Sequence, residues 1–469
     1  MGIDDYPHPD KNTGIGFCYF PDEEHYLPAD LERWLPELRA LGASWLVLRS
    51  VRVAPVPEAF VRGLLAAGIE PVVHLFGPRI ARIELADLRR TAEQYAAWGA
   101  HYFCLYDQPN LRATWGADWG RPQLVERFVD MLLPALQIIQ GAGLIPVLSP
   151  SAPGGQYWDL AFLGSLLESL KRRAPASLFT RLAVGMHNYA DSRALAWGAG
   201  GPSRWTAARP YDTPAGSEDQ RGFRMFEWYD AVVRARLGDG LPLISLGDGA
   251  RLGLRSAPDA AVVDRAWHAK CHAGVAELFA SGTLPACVFN SAFWVLATAP
   301  GDPAAPQAWY DQQARPRVTA IDALKSFARK HKPAAESPKS EVRSPKSEAR
   351  TLGAALRAAD PRPRTPDSGP RTSKVLRHYV LLPVFEWGPS DWHWQAAQNY
   401  VQSLRASCGF SADEARLAER VTIIGNTQGV SADVEAVLRN AGCKVARVAG
   451  DTGAETIALL NDLARAVPD

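Results

Sequence analysis

Charge of one sign is scarce in this chain. Its 469 residues carry 51 Lys and Arg against 50 Asp and Glu, a formal net charge of +1. A balance that close gives no electrostatic case for nucleic acid or an anionic membrane as partner. Long apolar runs are missing too: none reaches the roughly 20 residues of a membrane span. The opening MGIDDYPHPDKNTG has neither a basic start nor an apolar core, so it does not read as a signal peptide. Gly2 invites a myristoylation reading, but Tyr6 stands where that motif needs Ser or Thr. These absences predict a soluble, cytoplasmic protein. The six cysteines show no close pairing, and Cys18, Cys104 and Cys287 sit inside apolar runs, as buried thiols do. There is no G-x-S-x-G elbow and no P-loop. Gly14-Ile15-Gly16 lacks the third glycine of a dinucleotide fingerprint. His268 and His272 lie one helical turn apart, but without the Glu of a zinc helix. Neither a cofactor nor a metal is expected.

What the chain does have is a rhythm. Apolar runs at 14–20, 44–50, 70–76, 101–107, 145–149, 181–187, 242–247 and 285–291 alternate with amphipathic stretches such as DLERWLPELRALG and ELADLRRTAEQYAAWG. Several of these stretches end in Gly, where a helix C-cap wants one. Eight such units, the last helix at 317–330, predict a (β/α)8 TIM barrel over 1–330. An open doubly wound sheet is the competing architecture. From 331 to 374 the composition turns to Pro, Ser and charge, with SPKSEVR followed at once by SPKSEAR. Such a stretch cannot bury a core and predicts a flexible linker. From 375 to 469 a small α/β module is expected, with a capping box at Ser411 and Glu414.

Barrel chemistry sits where strands end. The strand ends supply Arg49, Asp107 and Gln108, His187-Asn188-Tyr189, Gly247-Asp248-Gly249, and Asn290 with Trp294. The loops that follow carry Trp115, Trp119 and Trp205, whose rings are either core or a stacking surface for sugar. Asp22, Glu23 and Glu24 read as a solvated loop.

These strand ends resemble the clan A glycoside hydrolases, the large group of retaining sugar-cleaving barrels. The resemblance places an Arg at Arg49, a nucleophile-steadying Tyr at Tyr189 within His187-Asn188-Tyr189, and a sugar floor at Trp294. It places the Asn-Glu-Pro corner on Asp107-Gln108-Pro109 and the nucleophilic Glu on Gly247. A retaining glycosidase needs two carboxyl groups about 5–5.5 Å apart. Gln108 gives no proton at neutral pH and Gly247 has no side chain, so the catalytic glutamate pair is missing on this alignment. Asp107 and Asp248 flank the two positions and are the candidates for displaced catalysis. Arg49, Gln108, His187, Tyr189, Asn290, Trp294, Trp115, Trp119 and Trp205 are the candidates for glycan binding.

At the C-terminus, the run at 421–456 resembles the type 2 cell-wall-binding repeat through Gly425, Val430-Ser431, Val434, Leu438, Gly442, Val445, Arg447, Gly450 and Glu455-Thr456. That resemblance implies attachment to a bacterial wall polymer, with Arg447, Glu455 and Thr456 among its residues, and self-association, since such repeats pack together. It places the protein at the cell envelope, against the cytoplasmic expectation from the N-terminus. Trp387, Trp392 and Trp394 form either a sugar-contacting edge or a hydrophobic seam. Three readings follow: a glycan-binding barrel with weak or no hydrolysis, an active hydrolase using displaced carboxylates, and a structural or assembly protein.

Overall fold

A computed structural model describes residues 2–331 except 51, 52 and 122, and residues 374–465 except 375, 386, 387, 390–392, 394–396, 398, 399, 402 and 405. The expected linker, apart from its two end residues, lies outside the described residues, as do Trp387, Trp392 and Trp394.

The eight apolar runs form a closed parallel barrel. Its strands are β1 (Ile15–Cys18), β2 (Trp45–Ser50), β3 (Glu70–Leu75), β4 (Tyr102–Leu105), β5 (Ile145–Leu148), β6 (Ala183–Tyr189), β7 (Leu243–Gly249) and β8 (Ser291–Phe293). Each pairs with the next, and β8 returns to β1 with Ser291 opposite Ile15. The strands are buried on both faces, which is why they read as unbroken apolar runs. The covering helices are α1 (Pro28–Ala40), α2 (Glu58–Ala66), α3 (Leu85–Trp98), α4 (Leu124–Gly141), α5 (Asp159–Arg173), α6 (Met225–Leu237), α7 (Arg265–Ala280) and α8 (Ala320–Lys330). In α4 the inward stripe is Phe128, Val129, Leu132, Leu136 and Ile139, the spacing of one helical face. α3 stops at Gly99, whose φ of 94° is open to glycine at little cost.

The same periodicity accounts for the histidine pair on α7. His268, Cys271, His272, Val275 and Ala276 make its buried face, and both rings pack on Trp309. Burial pulls His268 down to about 4.

Inside the barrel, Val47, Val72, Cys104, Val147, Ala183, Ile244 and Ala292 fill the lumen. The N-terminal segment closes one end: Tyr6 Oη donates to the Leu182 carbonyl at 3.1 Å and Tyr102 Oη to the Pro7 carbonyl at 2.5 Å. The opposite end, where the strands' carboxyl termini converge, is left for the site.

Several strand boundaries differ from the sequence reading, and β6, like β7, runs two residues past its apolar run, to Tyr189. β7 runs on past the expected end at Gly247 through Asp248 and Gly249, so these two residues belong to the wall and not to the loop after it. β8 begins where the eighth run was expected to end. Residues 285–288 form a turn instead, with Val288 N–H donating to the Pro285 carbonyl.

The C-terminal module is a second, smaller α/β unit. β9 (Leu376–Leu381), β10 (Ser407–Gly409), β11 (Ala418–Ile424) and β12 (Lys444–Val448) form one parallel sheet in the order β10-β9-β11-β12. Two helices, α9 (Ala432–Asn440) and α10 (Gly453–Arg465), follow β11 and β12.

Candidate functional site

The corner after β4 is strained and clamped. Tyr106 and Gln108, on either side of Asp107, both adopt left-handed backbone, with φ of 62° and 48°. That conformation costs a non-glycine residue about 1–2 kcal/mol, so surrounding contacts must hold it. His74 Nε2 donates to the Tyr106 carbonyl at 2.8 Å, and Gln108 N–H donates to the Pro150 carbonyl at 2.9 Å. Thr114 Oγ1 donates to the Gln108 carbonyl at 3.0 Å, and Trp115 Nε1 to the Pro109 carbonyl at 2.7 Å. Strain of this kind gathers at ligand sites, where a scaffold fixes a side chain against its local preference.

The side chain so fixed is Asp107. His187, near the end of β6, donates from Nε2 to Asp107 Oδ1 at 2.7 Å. Burial alone would raise the Asp107 pKa, but His187, His74 and Arg49 together hold it below the usual carboxylate value. Asp107 is therefore an ionised carboxylate at neutral pH, with its side chain 20% exposed. The other ring nitrogen of His187, Nδ1, is buried and has no hydrogen-bond partner among the described residues. Arg49 is half-buried on β2, its guanidinium 4.2 Å from the centroid of the Phe76 ring. Phe76 packs in turn on His74, centroids 4.4 Å apart. Burial lowers the Arg49 pKa, countered by the charges of Asp107 and Asp302. Burial also takes His74 down to about 4, so this ring is neutral and its donating Nε2 fixes the tautomer.

The β7 side is built the other way. β6 and β7 pair with His187 beside Gly247 and Tyr189 beside Gly249. A Cβ on Gly247 would stand 2.1 Å from Tyr189 Oη and 2.8 Å from His187 Nδ1. The phenol of Tyr189 thus occupies the space a side chain at 247 would need. Arg251 pins that phenol: its guanidinium lies 3.7 Å from the ring centroid and pairs with Asp191 at 2.6 Å. Asp248 is fully buried in the wall, where its Oδ1 accepts from Gly249 N–H. Desolvation raises its pKa well above the carboxylate range. It has no exposed surface, whereas the sequence reading expected it at the mouth.

Five other expected binding residues fall in different places. Asn290 precedes β8 and is fully buried; its amide accepts from Ser245 N–H at 2.8 Å and donates to the Ser245 carbonyl at 3.0 Å, tying β7 to β8. Its hydrogen-bonding groups serve the barrel wall. Trp115 packs on Phe128, and Trp119 is buried in the same core, so these rings are packing and not a stacking surface. Trp205 stays half-buried on the loop after β6, its Nε1 donating to the Ala199 carbonyl at 2.9 Å. Trp294, immediately after β8, is half-buried against the lumen residues and donates from Nε1 to Gln307 Oε1 at 2.7 Å.

His74 and Asp302 were not found from the sequence. His74 left a signal, as the polar residue next to the end of the third apolar run. Asp302 left none, because only the return of the β8 loop toward β2 brings its charge to Arg49.

In the C-terminal module, the three residues expected to touch a polymer all hydrogen-bond within the module, Thr456 buried and Glu455 exposed. Arg447 donates to Glu435 and to the carbonyls of Gly425, Asn426 and Val430. That uses the whole guanidinium fork to tie down the loop between β11 and α9. Glu455 accepts from the N–H groups of Asp451 and Thr452, and Thr456 Oγ1 accepts from Gly450 N–H. Both organise the entry to α10.

No protein-family model matches the chain, and no characterised protein matches its sequence. Solved structures with a similar barrel include a family 39 glycoside hydrolase from Bacteroides cellulosilyticus, 12% identical, with a TM-score of 0.46 over 68% of this chain. The chain spans 64% of that protein's length. Others are a monomeric β-xylosidase from Caulobacter crescentus (14% identical, TM-score 0.43, 69% of each chain) and a family 51 α-L-arabinofuranosidase from Bifidobacterium longum (13% identical, TM-score 0.42, 70% of this chain and 76% of that one). At such identities and scores the likeness is one of barrel architecture, and any activity must be argued from the residues at the mouth.

Proposed function

We propose that the barrel mouth binds a carbohydrate and does not cleave it by a retaining mechanism. One observation carries this reading. If the resemblance is right in aligning the nucleophile with Gly247, the Tyr189 phenol fills the space its side chain would need, and the neighbouring Asp248 is fully buried. Retention needs two carboxyls across the cleft, one as nucleophile and one as acid/base. Asp107 supplies one ionised group, already engaged by His187. For binding, the set is well suited: Asp107 and His187 Nδ1 accept from sugar hydroxyls, Arg49 donates, and the Gln108 amide does both. Trp294 and Trp205 offer apolar faces for the ring.

The experiment compares binding and hydrolysis on the same oligosaccharide panel. Expected is measurable binding, lost in Trp294→Ala and weakened in Asp107→Asn, with no sugar released by any form. A second reading, hydrolysis through Asp107, draws on its being ionised and partly exposed, as a general base must be. Sugar release by the wild type, abolished in Asp107→Asn, would establish that reading and overturn the first.

The pattern over 421–456 supports a bacterial cell envelope as the place of action, by way of wall-polymer attachment and self-association of the module. Polymer contacts would come from surfaces other than Arg447, whose donors are spent inside. Sedimentation of the full chain with purified cell walls, compared with Trp294→Ala, separates attachment by the module from attachment by the barrel.

A further inference from the structure

Lys374 leads into β9 and Cys443 leads into β12, 69 positions later. Their side chains meet, with Lys374 Nζ 3.0 Å from Cys443 Sγ. The same ammonium donates to the Arg416 carbonyl at 2.7 Å, which holds it over the sulfur. Cys443 Sγ lies 3.6 Å from the carbonyls of both Ala415 and Arg416. One turn of backbone thus grips both partners. Cys443 is 7% exposed and Lys374 half-buried, so a small oxidant can reach the pair while larger thiols are hindered. Once the thiol is oxidised, an amine held at this separation meets the oxidised sulfur before an outside nucleophile does.

We propose that Cys443 and Lys374 are a modification site: hydrogen peroxide joins them through a single oxygen into an N–O–S bridge. The first peroxide oxidises the thiol by two electrons, giving sulfenic acid and one water as its O–O bond breaks. The Lys374 amine, in its neutral form, then loses one hydrogen and the sulfenic acid its own, and an N–O bond forms. A second peroxide accepts those two hydrogens with their electrons and leaves as two waters. In sum, one thiol, one amine and two peroxides give one bridge and three waters. The 3.0 Å gap suits insertion of an oxygen, which leaves both heavy atoms near their present positions. The bridge closes a loop holding β9, β10, β11 and α9, and so staples the module's first strand to its last.

The test treats the full chain with hydrogen peroxide, digests it without reductant and weighs the peptides. Expected is a species joining the peptides of residues 374 and 443, heavier than their sum by one oxygen less two hydrogens. Dithiothreitol should take it apart. Lys374→Arg keeps a cation over the sulfur but has no primary amine, so in that variant the cross-link should vanish and Cys443 proceed to sulfinic acid. Cys443→Ser should also be free of the species. The proposal is overturned if wild-type Cys443 passes to sulfinic acid with Lys374 unlinked, if it stays a thiol, or if the adduct persists in Lys374→Arg.

Discussion

The C-terminal ends of β4 and β7 carry an aspartate each, and the two could hardly be treated more differently. Asp107 sits on a strained corner, faces His187 and Arg49, and is held ionised. Asp248 sits inside a strand, faces the wall and is driven toward its neutral form. Residue type alone sets neither state. The difference comes from which residue ends the strand. β4 stops at Leu105, leaving Asp107 free to turn inward, whereas β7 continues through Gly249 and keeps Asp248 in its ladder.

Four substitutions would break or sharpen this contrast. The largest effect is expected at Gly247. Gly247→Glu forces a Cβ into Tyr189 Oη and buries a charge beside it, costing about 4 kcal/mol or more in chemical denaturation. Adding Tyr189→Ala should recover much of that loss, and if it does not, the phenol is not what fills the position. Restoring a carboxylate pair by Gln108→Glu with Gly247→Glu therefore requires Tyr189→Ala as well, and aryl-glycoside hydrolysis is its readout.

Next comes Trp115→Ala, at about 3–4 kcal/mol from the lost core packing. It also frees the Pro109 carbonyl, so glycan affinity should drop together with the melting temperature. Affinity unchanged at matched folded fraction would show that the β4 corner holds its shape without that bond.

Asp107→Ala should cost about 2 kcal/mol at neutral pH, since His187 Nε2 loses its buried acceptor. The Asp107 pKa is lower in the folded chain than in the unfolded one, so its contribution is fully present above the unfolded value of about 3.9. It fades as pH falls through the lower, folded value. Unfolding curves of the two proteins should converge in acid.

Smallest, and opposite in sign, is Asp248→Asn. Here the folded pKa is the higher one, so the native state binds the extra proton and loses stability as pH rises above the unfolded value. The Asn variant avoids that loss and should gain about 1 kcal/mol at neutral pH, a gain that disappears toward pH 3–4. A destabilised variant at neutral pH would mean that the Asp248 carboxylate is charged and paired in the wall.

Much of the mouth was readable in advance, and the failures have a common cause. Arg49, Asp107 and His187 were found because each is a polar residue closing an apolar run, and the strands bring them together. Asn290 and Asp248 show the same sequence signal, but β8 starts and β7 stops later than their apolar runs imply. A shift of two or three residues along a strand moves a side chain from the opening into the wall. Trp115 and Trp119 were ambiguous by nature: an indole on a long loop serves core and surface equally well until the loop's path is known. Arg447 shows the same limit in the C-terminal module. The sequence reading expected it among polymer-binding residues, but its fork closes on its own loop.

The alternation of apolar runs and amphipathic stretches determined the barrel, because a two-sided buried strand and a one-sided helix have different periods that composition cannot disguise. The sequence also determined which polar groups were available at the strand ends. Only the tertiary structure decided their states. Whether a carboxylate is ionised, whether a glycine's missing side chain leaves a void or a filled space, and whether an arginine is free all depend on residues far along the chain. His187 reaches Asp107 across 80 positions, and a pairing that distant is set by how the barrel closes.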